Sequence, residues 1–323
     1  MSDAAIAVGC TLPTSGPAAD PSALASLAQA AEDLGYASVW LSDHVVVPER
    51  ITSSYPYSPS GSFPTRTEEP YLEPLVALSF LGGATRRVRL GTHVLILPYR
   101  HPLLVAKMIS TLDNLSGGRV DLGVGAGWMR EEFEALGHTY YERRGAVTDE
   151  MLRILQLVWT RDVTGFEGEF FRFAPLGAHP RPVQQPHPPI WVGGHSRPAI
   201  RRAARFGDGW LPIGGRPPAD LPPDELAQDI AYLRAEAERA GRDPTSIRVC
   251  FSTNVVFDPP PDAGRPFHGS PDAIAAELRR YRAIGVQGFI VGFGALAPVE
   301  YERRLRRFAE QVLPGVIAEE TRA

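Results

Sequence analysis

Short apolar runs alternate with longer stretches of helical periodicity along the whole chain. Residues 6–8 form the first apolar run. Asp20-Pro21 then offers an N-cap and a first-turn proline, and Leu24, Leu27, Ala28, Ala31 and Leu34 recur at helical spacing up to Gly35. The same alternation predicts further strands over 38–41, 88–97, 120–124, 190–192, 209–212, 247–257 and 288–291. Helices are predicted over 71–82, 103–115, 143–160, 198–206, 224–240, 271–284 and 299–312, the one over 143–160 carrying Met151, Leu152, Leu155 and Val158 on one side. Two stretches show neither period: 47–70, rich in Ser, Pro and Tyr, and 161–189, with Gly165, Gly168 and several prolines.

Strictly alternating strands and helices imply a parallel sheet, and eight units without a linker-like break favour a closed (β/α)8 TIM barrel over an open doubly wound sheet. The expectation is one α/β domain over residues 1–323, with insertions after strands 2 and 4 at about 47–70 and 161–189. Both insertions are expected at the C-terminal mouth of the barrel, where such folds do their chemistry, and to form a lid over the substrate.

Composition narrows the function classes. Hydrophobic residues make up 44% and charged residues 22%, enough for a sizeable core and incompatible with intrinsic disorder. A net charge of −4 argues against nucleic-acid or membrane-surface binding driven by bulk charge. No run of about 18 apolar residues exists to span a bilayer, and Met1 to Val8 carries no export signal, so a cytoplasmic protein is expected. Two cysteines, Cys10 and Cys250, exclude a disulfide framework and a Cys-rich metal site. The eight histidines include no HxxxH or HExxH pair, so no metal site is expected. No GxSxG elbow marks a serine hydrolase.

Candidate chemistry falls at the predicted strand ends. His44, after Asp43, sits just past strand 2 and is the candidate acid or base, although a histidine that only bonds a loop would look the same. Thr92 and His93 close strand 3 before Val94, on opposite faces if the strand continues. Gly125, Ala126 and Gly127 follow strand 4, where small residues let a flat ligand approach the backbone or simply make a tight turn. Gly193, Gly194 and His195 precede a helix start, which suits a phosphate as well as a plain turn. That helix carries Arg197, Arg201 and Arg205 on one face, either a solvated charged face or a landing for an anionic tail. Tyr55, Tyr57, Phe63 and Trp128 are candidate apolar walls of a substrate pocket.

Three segments carry a wider resemblance: SVWLSDH (38–44), RVRLGTHVLILPYRHPLLVAKMISTLDNLSGGRVDLGVGAGWMREEFEALG (87–137) and PPIWVGGHSRPAIRRAARFGDGWLPIG (188–214). In this order they resemble the bacterial luciferase-like superfamily of barrel enzymes over nearly the whole chain, most closely its branch dependent on the deazaflavin coenzyme F420. The resemblance implies an oxidoreductase that moves a hydride between F420 and an unsaturated small organic substrate. The runner-up reading is an FMN-dependent monooxygenase of the same fold using O2, and a second alternative is a non-catalytic flavin-binding protein on such a barrel. His44 matches the family histidine beside the deazaflavin ring, and the step from His93 to Val94 falls where relatives have a non-prolyl cis peptide against that ring. Gly125, Ala126 and Gly127 would line the ring and ribityl chain, and Gly193 and Gly194 the phosphate. Relatives commonly pair as homodimers. One departure is clear: sugar-phosphate dehydrogenases of the family carry an acidic residue where this chain has Trp128, and Lys107 is its only lysine, so a sugar phosphate is not the substrate implied.

Overall fold

The computed structural model describes residues 6–16, 19–259 and 265–317. Eight parallel strands follow in order: β1 (Ala7–Thr11), β2 (Ser38–Leu41), β3 (Arg89–Thr92), β4 (Val120–Gly125), β5 (Ile190–Gly193), β6 (Gly209–Leu211), β7 (Arg248–Asn254) and β8 (Gly288–Gly292). Each pairs with the next in sequence, and β8 returns to β1 through Ala7 opposite Gly288, so the sheet closes into a barrel. The expected TIM barrel is the fold. Eight helices alternate with the strands: α1 (Pro21–Asp33), α2 (Pro74–Ala84), α3 (Pro102–Ser116), α4 (Arg144–Thr160), α5 (Arg197–Phe206), α6 (Pro223–Arg239), α7 (Pro271–Ala283) and α8 (Pro298–Gln311).

Local signals explain most boundaries. Asp20 caps α1 by accepting from the Ser22 amide at 2.7 Å, with Pro21 in the first turn, and the buried stripe is Leu24, Leu27, Ala28 and Ala31. Ser196 and Ser270 cap α5 and α7 in the same way. Three expected elements differ. The third strand stops at Thr92, the His93–Val94 peptide that follows is cis, and pairing with β4 resumes only at Leu95–Ile96. The expected strand over 247–257 divides after Asn254, and Val256–Phe257 pairs instead with His268–Gly269. A short helix, Arg130–Ala135, stands where none was expected.

The barrel interior is filled by Trp40 and Trp191, edge to face at 6.3 Å, with Leu211, Cys250 and Ile290 around them. Two glycines exist for these rings. A β-carbon on Gly91 would lie 2.2 Å from the Trp40 ring, and one on Gly209 would lie 2.0 Å from the Trp191 ring.

The two insertions part company. Residues 47–70, the segment expected to form a lid, lie at the C-terminal mouth, with Phe63 against the His44 ring at 4.6 Å and Tyr55 against Trp128 at 5.1 Å. The 161–189 segment does not. It leaves the far end of α4, forms an antiparallel hairpin (Thr164–Glu167 with Arg172–Leu176), and is strapped to the outside of the barrel. Glu150 of α4 accepts from the amides of Glu169, Phe170 and Phe171, while Asn114 of α3 donates to the Arg181 carbonyl and Asp113 accepts from Gln184. Lys107 is spent on this strap, donating to the His179 carbonyl. The expectation of a lid fails here because the segment follows a helix, and a helix in this fold ends at the opposite face from the one where its strand ends.

Candidate active site

His44 leaves the end of β2 and is 7% exposed. Its Nδ1 lies 2.6 Å from Oε2 of Glu132, which is fully buried. Glu132 also accepts from the amides of Val45 (2.6 Å) and Val46 (3.2 Å) and from the Tyr99 hydroxyl (2.8 Å). Four donors thus satisfy the oxygens of this buried carboxylate. The pairing places the Nδ1 proton towards Glu132, leaving Nε2 as the ring nitrogen free for chemistry. The carboxylate in turn raises the Tyr99 hydroxyl far above its ordinary value, burial being the larger cause, so Tyr99 stays a donor.

Aromatic rings surround the imidazole. Phe63 lies 4.6 Å from it, Tyr71 5.3 Å and Trp128 6.1 Å, centroid to centroid. Tyr55 packs on Trp128 at 5.1 Å and on Phe63 at 5.4 Å, and Tyr57 on Tyr55 at 5.6 Å. The four residues expected to wall a pocket therefore come together, three from the lid and one from the turn after β4. Burial raises the hydroxyls of Tyr55 and Tyr57, the latter to about 12, so both remain neutral donors.

The lid is pinned by the neighbour of Glu132. Glu131 accepts from the Thr52 amide (2.7 Å), the Thr52 hydroxyl (2.6 Å) and the Ser53 amide (3.1 Å), and the Arg130 amide returns a bond to the Ser53 hydroxyl. Burial works against the Glu131 charge, but these donors prevail and pull its carboxyl down to about 2. A depressed folded value means that the tether is complete above the ordinary carboxylate range and is lost as pH falls through that range towards 2. Glu131→Ala is expected to raise amide exchange across residues 50–57 by tenfold or more on the order of one lost tether, with the barrel strands unchanged, and exchange mass spectrometry at pH 7 checks it.

The remaining predicted residues line the barrel rim. Thr92 turns into the wall, donating to the Gly123 carbonyl at 2.6 Å. His93 lies against Trp40, and burial together with the charge of Arg216 pushes its imidazole down to about 3, so it is neutral at physiological pH. Its Nε2 is buried with no hydrogen-bond partner among the described residues. Val94 projects between two strand ends: a β-carbon on Gly125 or Gly193 would come within 2.6 or 2.7 Å of its methyl groups. These glycines thus make room for Val94, and Gly127 (φ 84°) for Phe133 and Ile96, while Ala126 stays partly exposed on the rim. Gly194 takes a positive φ of 93°, its carbonyl held by Trp210 Nε1 at 2.7 Å, and His195 follows with Nδ1 buried and unpartnered. Asp43 is structural: it clamps Arg100 through both oxygens (2.7 and 2.8 Å) and accepts from the Ile96 amide at 2.8 Å, fixing the chain just after the cis peptide.

The arginine face of α5 stays outside. Arg197 pairs with Asp229 at 3.0 Å and stacks over Tyr232, whose hydroxyl accepts from Arg201, and Arg205 lies 4.0 Å from Asp149. An anionic tail would share these cations with carboxylates already present. Sequence reasoning missed Glu131, Glu132 and Tyr99. Glu131, Glu132 and Glu134 stand within four residues, and nothing in their spacing says which one turns inward.

A closed parallel barrel thus carries a buried histidine–carboxylate pair enclosed by aromatic side chains at its C-terminal mouth. Residues 5–266 match the family model for luciferase-like monooxygenases, and the chain belongs to this family. It is 35% identical over 299 residues to the uncharacterised protein Rv0940c of Mycobacterium tuberculosis, covering 90% of this chain and 94% of the relative. Identity is 33% over 241 residues to an F420-dependent glucose-6-phosphate dehydrogenase of Nakamurella multipartita (74% and 64% covered). Over 134 residues it is 37% to an FMNH2-dependent dimethylsulfone monooxygenase of Pseudomonas putida (41% and 37% covered). Among solved structures, an F420-dependent secondary alcohol dehydrogenase bound to an F420–acetone adduct superposes with a TM-score of 0.77 at 18% identity, covering 97% of this chain and 99% of that one. The monooxygenase RslO1 of Streptomyces bottropensis gives 0.75 at 24%, covering 96% and 99%. Relatives and neighbours of the family thus use either F420 or FMN. No helix among the described residues is long and apolar enough to cross a membrane.

Proposed function

We propose that this protein is an F420-dependent oxidoreductase that exchanges a hydride between the deazaflavin and a C=C, C=N or C=O group of a small organic substrate. The observation that carries the reading is the His44–Glu132 pair. Hydride transfer to or from a polar double bond needs a proton moved at the neighbouring atom, and a histidine with one nitrogen fixed by a buried carboxylate serves that task.

The residues fit the cofactor. Val94 offers an apolar platform at the barrel mouth, with Gly125 and Gly193 on either side of it. Gly194, the α5 N-terminus and the unpartnered His195 Nδ1 form a cradle for a phosphate. F420, when bound, supplies a carbon centre that gives or takes the hydride. The chain's own part is to accept or return a proton at His44 Nε2, to keep that nitrogen available by fixing Nδ1 on Glu132, and to exclude water with Tyr55, Tyr57, Phe63 and Trp128. Trp128, where an acidic residue would suit a sugar phosphate, and Lys107, committed to the outer strap, support an apolar substrate body.

Anaerobic titration with F420 and with FMN, followed by tryptophan quenching, tests the reading. Micromolar binding of F420 with FMN at least tenfold weaker is the expected result, about 1.4 kcal/mol of preference. Tight binding of FMN alone would move the protein to oxygen chemistry, and binding of neither would remove the oxidoreductase reading.

A further inference from the structure

Across the mouth from His44, the polar wall is built around Arg216. It follows Gly214-Gly215 in the loop after β6, and its backbone exchanges two hydrogen bonds with Ala219 (3.1 and 2.7 Å). Its Nη2 donates to Oδ1 of Asn254 at the end of β7. A β-carbon on Gly292, the last residue of β8, would meet Asn254 Oδ1 at 2.6 Å, Thr11 Oγ1 at 2.8 Å and Arg216 Nη2 at 3.6 Å. The ends of β1, β7 and β8 therefore converge on the guanidinium. Tyr55 and Tyr57 of the lid lie close enough to act on its charge, as does Tyr301, and that charge in turn reaches His93.

Among the described residues this cation has no counterion. Two arginines at the barrel contrast with it: Arg100 is clamped by Asp43 and Glu73, and Arg89 by Asp121. Among the described residues no carboxylate pairs with Arg216, and its Nε is shut off from solvent with no hydrogen-bond partner. Burial without compensation disfavours its charge. His93 Nε2, just past β3, and Ser252 Oγ, within β7, are likewise buried with no partner among the described residues. A desolvated guanidinium with donors to spare, set beside an aromatic chamber, is complementary to a planar anion that arrives with the ligand, and its fork matches a carboxylate.

We propose that Arg216, steadied by Asn254, receives the carboxylate of the substrate, so that the enzyme acts on small organic acids whose reacting carbon lies between Arg216 and His44. This rests on the barrel mouth being the site of substrate and cofactor, as in the proposed function.

Benzoate and benzamide serve as probes of equal shape and different charge. Calorimetric titration of the wild-type protein, with and without F420, is expected to show benzoate bound about tenfold or more tighter than benzamide, as for a charge-assisted pair against a neutral one. Arg216→Met is expected to abolish that preference, and Arg216→Lys to keep part of it because the charge remains without the fork. Affinity for F420 and FMN is expected to stay within about twofold in both variants. Equal binding of the two probes by the wild type would overturn the proposal. So would an Arg216→Met protein that keeps the preference but loses cofactor affinity, since the guanidinium would then serve the anionic edge of the reduced cofactor ring. If the methionine variant fails to fold, an Arg216→Lys variant with undiminished preference overturns it equally. The readout is binding rather than turnover, so a failed cofactor titration sinks the function reading while leaving this result interpretable.

Discussion

His44→Ala is expected to slow substrate turnover by about 10²–10⁴-fold, the usual contribution of a positioned general acid or base, while cofactor affinity changes little. The imidazole is enclosed by Phe63, Tyr71 and Trp128, which come from three separate parts of the chain: the 47–70 segment, the stretch before α2 and the turn after β4. Glu132→Gln separates chemistry from positioning. The amide keeps an oxygen that can accept from the Val45 and Val46 amides, but its nitrogen then meets His44 Nδ1 or the Tyr99 hydroxyl, both of which now donate to the carboxylate. The imidazole loses its fixed tautomer, so kcat is expected to fall with KM nearly constant and with the pH–rate profile displaced. Steady-state kinetics over pH 5–9 on both variants check this, and a drop of less than about tenfold for His44→Ala would hand the proton to another group.

Gly209→Ala is expected to be among the most damaging single methyl groups in the barrel. The added carbon would stand 2.0 Å from the Trp191 ring. That ring is 7% exposed, sits edge to face with Trp40, donates through Nε1 to Asp121 at 3.2 Å and lies under the Arg248 guanidinium at 4.6 Å. It has no free direction to move in, so the cost lies at or above the upper end of the roughly 1–3 kcal/mol typical of overpacking. By contrast, Gly83→Ala, whose new β-carbon would meet nothing within 4 Å in α2, is expected to be neutral or mildly stabilising. Urea unfolding of the two variants beside the wild type gives the difference directly. The double variant Gly209→Ala/Trp191→Phe is expected to recover part of the loss, because the two sites share one volume.

The periodicity that makes β2 and α1 legible is local. An apolar run of four residues between turn signals has few alternatives to a buried strand, and an Asp-Pro start followed by a 3.6-residue stripe has few alternatives to a helix. Eight repetitions of that pair then leave the closed barrel as the natural packing, and the barrel assigns residues such as His44 and Gly193 to its mouth by their place after a strand. The same logic misled for 161–189, which lacks period just as the lid does. Position after a helix rather than after a strand sends it to the outer wall.

Chain order and pattern were therefore enough for the architecture, for the family resemblance and for naming the histidine at the mouth, since each depends on residues close in sequence. Tertiary structure decided the rest. That Glu132 rather than Glu131 or Glu134 grips His44, 88 positions away, depends on how a one-turn helix is rotated. That Gly91 and Gly209 serve two tryptophan rings, and Gly125 and Gly193 the Val94 side chain, depends on which neighbours the closed sheet presses against them. That Arg216 has no carboxylate beside it among the described residues is a property of the space around the guanidinium and not of its place in the chain. A pairing between distant side chains, or the lack of one, leaves no period in the sequence, because it is set by packing across the barrel and not along the strand.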